Sequence, residues 1–335
     1  MTDFSITGDY ARSLVLRRQN AETRAQIDAL VTEVGTGRKS DMAGSLRGQF
    51  MPLAALEADL SALASFRDSA NELRGRAEAM QGVLEALGAT AQETGAQFIA
   101  PIPAGSGVDQ TLAEDARDRF EAAVGQLNGS FAGRALFAGV ATDGPALNSG
   151  ASMLAALETA VAGLPDAAAV EAAVRAWFAP GGDFETLGYV GATETPAPQA
   201  IAAGRAADLP VTASDPALRE LLAGLAMAAL SVRPPIAGNA SERRELFQAA
   251  GLTLMNAESA IVGTRARIGL VENAIDRANV ANAAEEAALR SARSELTDVD
   301  IYEVATELEA VQGQLELLYA ITARNSGLSL VRALS

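Results

Sequence analysis

Cysteine and histidine are both missing from this 335-residue chain. Their absence removes thiolate nucleophiles, disulfides, Ser-His-Asp and Cys-His catalytic arrangements, and the usual ligands of zinc, haem and iron–sulfur clusters. A thiol-free chain also has nothing to cross-link if it must leave the cytosol as an unfolded polypeptide. Lysine is reduced to Lys39, and 26 basic against 42 acidic residues leave a formal charge of −16. Nucleic acid is a poor partner for such a surface. Aromatic residues make up 4% of the chain against a hydrophobic fraction of 49%. Alanine and leucine supply most of that fraction, and both lose little entropy in a helix, so the expectation is a mainly α protein. The longest apolar run, around 221–232, is about a dozen residues, too short to span a bilayer. The first thirty residues hold Arg12, Arg17, Arg18 and Arg24 and no apolar core segment, so neither a secretory signal peptide nor membrane insertion is expected.

Against these gaps stand long apolar seams at helical spacing. Near the N-terminus Leu16, Asn20, Thr23, Ile27, Leu30 and Val34 recur at three- and four-residue steps, ended by Gly35-Thr36-Gly37, where glycine tolerates the left-handed cap. A stronger seam starts at Leu53 and continues through Leu63, Phe66, Leu73, Met80, Leu84 and Leu87. Pro101 and Pro103 break the pattern, and a further helix is predicted over 111–128. In the C-terminal third, Leu254, Ala257, Ile261, Thr264, Ile268, Val271, Ile275 and Ala278 keep heptad phase, in a helix for which Ser241 is the predicted cap. Asn279 and Asn282 then interrupt the seam, as register-setting polar positions or as exposed ones. A final seam runs Ile301, Val304, Leu308, Val311, Leu315 and Leu318, with Asp298 as the predicted cap and a second cap signal at Asn325-Ser326-Gly327.

The middle differs in character. Residues 143–238 hold most of the chain's twelve prolines and only short helical stretches, predicted at 152–163, 167–178 and 216–231. Residues 183–190 are the best strand candidate, with further short strands predicted at 199–202 and 209–212. Before them, the glycine-punctuated stretch 131–147 suits extended chain and turns. Trp177 and Phe178 at a helix end read as core.

The candidate chemistry is thin. Gly35-Thr36-Gly37 and the stretch from Gly129 to Gly133 have no P-loop lysine-serine ending and no preceding strand, so no nucleotide site is expected. Asp298, Asp300, Glu303 and Glu307 can be read as an acid/base pair or an oxygen-ligand cluster, but capping and a solvated helix face explain them more simply. No catalytic, cofactor or metal residue is assigned. The two ends are mildly complementary in charge, residues 1–50 holding seven basic and six acidic residues and 294–335 two and seven. Exposed pairs of this kind contribute only about 0–1 kcal/mol each. Sparse terminal seams have little apolar area to offset ordering, so the outermost helices are expected to join neighbouring copies.

The sequence resembles the bacterial flagellin family, and within it the hook-filament junction proteins. Residues 27–38 are similar to the family's first helix and its glycine ending. Gly133-Arg-Ala-Leu-Phe-Ala-Gly139, with Thr142 and Pro145, is similar to the turn closing the N-terminal half of its core domain. Asp298-Val299-Asp300, Glu307-Leu308 and the stretch 328–334 resemble its terminal helix and apolar tail. The resemblance covers about 130 residues at the start and 95 at the end, leaving the middle unmatched. It implies long N- and C-terminal helices paired in a coiled-coil-like rod with an inserted smaller α+β domain. The parts are an assembly helix over 1–45, core halves over 46–142 and 239–296, a variable insert over 143–238, and a second assembly helix over 297–335. It also implies an extracellular, non-enzymatic subunit of the flagellum, exported through the type III channel with a chaperone and meeting copies of itself, a hook-associated protein and flagellin. A filament subunit and a secreted adhesin or binding module remain as alternatives. The expected assembly residues are Ile27, Leu30, Val34, Ile301, Val304, Leu308, Val311, Leu315 and Leu318.

Overall fold

The computed structural model describes the backbone of residues 3–100, 107–234 and 236–334, and side chains over 14–100, 107–234 and 236–324. The expected break at Pro101 and Pro103, the closure at Pro235 and the side chains of the apolar tail lie outside the described residues. Helices dominate: α1 (Asp3–Thr36), α2 (Met42–Ser45), α3 (Met51–Ile99), α4 (Val108–Leu127), α5 (Gly150–Val161), α6 (Ala167–Phe178), α7 (Pro216–Leu230), α8 (Ala240–Thr297) and α9 (Ile301–Leu334). Two small antiparallel pairs accompany them, β1 (Ser130–Phe131) with β2 (Arg134–Ala135) and β3 (Gln199–Ala202) with β4 (Arg205–Ala207). The chain forms two compact units, one of Leu63–Ala283 and one of Met1–Ala62 with Ala284–Ser335.

In the unit Leu63–Ala283, α3 and α8 run antiparallel. Arg74 pairs with Asp276, Arg265 with Glu85 at 3.1 Å, and the carbonyl oxygen of Gly95 lies 3.0 Å from where a Cβ on Gly251 would stand. Their facing seams, Leu73, Met80, Leu84 and Leu87 on one helix and Leu254, Ile261, Ile268 and Ile275 on the other, are buried. Helix α7 is buried over all of 221–230, which explains the longest apolar run as a core helix. One continuous apolar core includes Leu84, Phe120, Phe137, Leu157, Leu222 and Phe247, so residues 143–238 share the core of the elements on either side of them.

The glycine-rich stretch behaves as the sequence indicates. Ala132 and Gly133 take φ of 49° and 78°, the geometry of a tight hairpin turn between β1 and β2. At Gly139, with φ of 66°, a Cβ would stand 2.2 Å from the Ala192 carbonyl oxygen, so only glycine fits there. Asn128 holds the far end by accepting from Leu147 N–H at 2.8 Å and donating to its carbonyl at 3.0 Å.

Four local expectations are corrected. Residues 183–190 form a π-helical turn, Phe184–Gly188, instead of a strand. The Tyr189 N–H reaches back five residues to the Phe184 carbonyl at 2.7 Å, which stacks the two rings with centroids 6.4 Å apart. A strand would have put them on opposite faces, away from the cluster they share with Trp177 and Phe178. The strand predicted at 199–202 forms as β3, while the second strand lies at 205–207 and not at 209–212, because Gly204 at φ 66° reverses the chain at once. Helix α8 is capped by Asn239, whose Oδ1 accepts from Ser241 N–H at 3.0 Å, and Ser241 is inside it. Helix α9 runs through Asn325-Ser326-Gly327 to Leu334, a single glycine costing only about 1 kcal/mol in a helix.

Candidate assembly surface

Helices α1 and α9 pack antiparallel within their own compact unit. The Val299 N–H donates to the Gly37 carbonyl at 3.1 Å, Gln26 Nε2 to Glu307 Oε1 at 3.2 Å, and Arg24 Nε to the Tyr319 hydroxyl at 3.1 Å. Between these ties lies a small apolar cluster. Leu30, Val304 and Val311 are buried, and Ile27, Val34, Val299 and Leu308 pack against them. Leu315 and Leu318 continue the same face, half-buried. The seam is diluted by polar residues: Thr23 Oγ1 donates to the Gln19 carbonyl at 2.8 Å and Asn20 Nδ2 to the Leu16 carbonyl at 3.2 Å, while Asn20 Oδ1 is buried without a partner.

Ile301 is not part of this cluster; it is 53% exposed. Val299 occupies the place instead, because the bridge to Gly37 fixes it against α1 two residues before α9 begins. The signal for this was present, a lone apolar residue between Asp298 and Asp300. The cap of α9 is likewise Asp300, whose Oδ1 accepts from Tyr302 N–H at 2.9 Å, and not Asp298.

Residues 37–39 and 296–299 form a clasp that closes the seam. Besides the Val299–Gly37 bond, the Lys39 N–H donates to the Thr297 carbonyl at 2.9 Å. The ammonium of Lys39, the sole lysine of the chain, donates to the Leu296 carbonyl at 2.9 Å. A cation on the last carbonyls of α8 is placed where the helix dipole favours it. Asp298 turns back onto α8, accepting from the Ser294 and Thr297 hydroxyls. Those hydroxyl bonds, with the nearby charges of Arg38 and Arg293, hold its carboxyl below the usual carboxylate range. An open groove of about 620 Å³ lies here, lined by Thr36, Arg38, Arg293, Asp298 and Ile301.

The arrangement is one for packing. Among the described residues no group of three or more Asp or Glu side chains is placed to hold a metal, and no helix is long and apolar enough to cross a membrane. Among the residues the pair leaves uncovered, beside many charged ones, are the apolar Leu14, Val15, Val31, Leu317 and Ile321.

Residues 254–334 match the family model of the bacterial flagellin C-terminal helical region. No curated protein matches the chain. Among solved structures, one assigned as a flagellar hook-associated protein from Vibrio parahaemolyticus is similar at 15% identity and a TM-score of 0.50. That likeness covers 73% of this chain and 96% of the other, and at such identity it is a likeness of fold.

Proposed function

We propose that this chain, which belongs to the bacterial flagellin family by its C-terminal helical region, is a structural subunit joining the flagellar hook to the filament. The observation that carries the reading is the incomplete burial of the terminal pair. Two helices of 34 residues each share a cluster with only three buried apolar side chains among the described residues. Isolated helices draw little stability from propensity alone and depend on the faces they bury. Copies packed around a common axis cover the faces that one copy leaves bare, and that burial offsets the entropy of ordering the ends.

In this reading residues 1–45 and 297–335 are the assembly segments, 46–142 and 239–296 the halves of the helical core, and 143–238 the outward-facing part. The partners are further copies, a neighbouring hook-associated protein and flagellin, reached outside the cell by type III export with a chaperone. A flagellar hook-associated protein from Vibrio parahaemolyticus has a similar fold, which is in keeping with a hook-associated position. Hook-basal bodies from a null strain test it: bare hooks are expected, with flagellin released to the medium. Complete filaments on those hooks contradict the reading, and a junction still occupied by its other proteins but lacking only the shaft moves the chain into the filament.

A further inference from the structure

Helix α4 ends on the one Asn-Gly pair of the chain: of its ten asparagines, Asn128 alone is followed by glycine. With no side chain on the following residue to hinder it, the backbone nitrogen of Gly129 can attack the side-chain carbonyl of Asn128. The bond from that nitrogen to Cγ forms, the Cγ–Nδ2 bond breaks, and the displaced proton leaves with Nδ2 as ammonia. Water then opens the five-membered imide at either carbonyl, leaving aspartate or isoaspartate at 128.

The fold both imposes this pair and shields it. A Cβ at 129 would stand 2.8 Å from the Gln126 carbonyl oxygen, so the position takes glycine. Asn128 is fixed by its two bonds to the buried Leu147, since an amide can accept from that N–H and donate to that carbonyl at once. The same contacts block the reaction. A flat imide ring needs the Gly129 nitrogen eclipsed with the Asn128 Cβ, whereas ψ of 5° at Asn128 turns it away. The two Leu147 bonds keep the side chain from following. The Gly129 N–H is held by the Gln126 carbonyl at 3.0 Å and the Gly129 carbonyl by the Leu136 N–H at 3.0 Å, so this peptide unit does not rotate alone.

We infer that Asn128-Gly129 is a modification site kept closed by the turn: it deamidates in the unfolded chain and, once converted, stops that chain from forming the turn again. Aspartate at 128 can accept from the Leu147 N–H but has no proton for the Leu147 carbonyl, which is left facing a second acceptor. Isoaspartate also lengthens the backbone by one carbon between α4 and β1, which moves Gly129 off both of its bonds. Phe137 and Leu147 enter the main core from this turn, so the damage is not confined to the surface. For a chain that waits unfolded before export, a consequence that alone rests on the assembly reading, the pair limits how long a usable chain can wait.

The test follows the purified full-length chain at one neutral pH, folded and in guanidinium chloride above its unfolding midpoint, with peptide mapping of aspartate and isoaspartate at 128 and assay of released ammonia. Conversion at 128 at least about tenfold faster in denaturant is expected, because attack in the folded chain waits on local opening. Equal rates overturn the proposal. Asp143-Gly144 can isomerise but releases no ammonia, and it maps to a different residue. In denaturant, where folding is not at issue, Gly129→Ala should slow conversion at least about tenfold, and an unchanged rate overturns the assignment of the attacking nitrogen. A half-converted sample is then diluted to refold and separated by size. Converted chains should be enriched at least about tenfold in the fraction that does not refold, and equal recovery overturns the claim that conversion blocks the turn. None of these readouts involves a hook, so their failure is distinct from failure of the flagellar reading, which the null strain tests.

Discussion

The unit Leu63–Ala283 and the α1–α9 pair are built from similar helical seams to opposite ends. The first surrounds each seam with further helices, so that Met80, Leu84, Phe120, Leu157, Phe247 and Ile275 have no exposed surface beyond a per cent or so. The second has one helix facing one helix, and its apolar cluster closes on Leu30, Val304 and Val311. The difference is one of neighbours more than of composition. A seam with one partner stabilises weakly and keeps apolar surface in reserve, which suits a segment that gains its remaining partners by assembly.

Substitutions can break this contrast or sharpen it. Phe247→Ala, which removes a ring buried 5.2 Å from Phe98, is expected to cost about 3–5 kcal/mol in urea unfolding, the largest effect here. Asn282→Ala comes next. Its amide is buried and donates to the Ile201 carbonyl at 2.8 Å, so the β3–β4 hairpin loses its anchor on α8 at about 1–3 kcal/mol. Lys39→Met removes the bond to the Leu296 carbonyl and should cost about 0.5–1.5 kcal/mol, seen as faster amide exchange around 296–299 with the main transition unmoved. Leu308→Asp or Leu315→Asp should change the main unfolding transition by less than about 1 kcal/mol yet abolish incorporation into flagella; normal filaments from either variant would remove the basis of the contrast. The smallest effect is in pH. The Asp298 carboxyl is depressed in the folded state, so its contribution is present above the unfolded value and is lost as pH falls through the folded one. Acid should therefore loosen the clasp below the ordinary carboxylate range, and Asp298→Asn should remove that dependence.

Much of this was readable from spacing. The seams of α1, α3, α8 and α9 lie where their three- and four-residue steps indicate, and the turn glycines Gly37, Gly133 and Gly139 take the left-handed conformation. Helix α6 matches its predicted span. What spacing could not show is which competing local partner wins. Alternation over 183–190 indicates a strand, but the aromatic cluster needs Phe184 and Tyr189 on one side, and a five-residue hydrogen bond provides that. Capping moved by two residues where nearby side chains could both serve, at Asn239 and Ser241 and at Asp300 and Asp298. Ile301 kept perfect phase and still faces solvent, because the backbone bridge ahead of it delivers Val299 to the seam first.

Amide hydrogen exchange on the dispersed protein, then on the assembled form, tests the central claim most directly. The account predicts protection near the global stability in 73–98, 113–127 and 246–278, weak protection in 14–36 and 301–324, and a large rise in the latter two once copies assemble. Uniformly strong protection from α1 to α9 in the dispersed protein, unchanged on assembly, would contradict it.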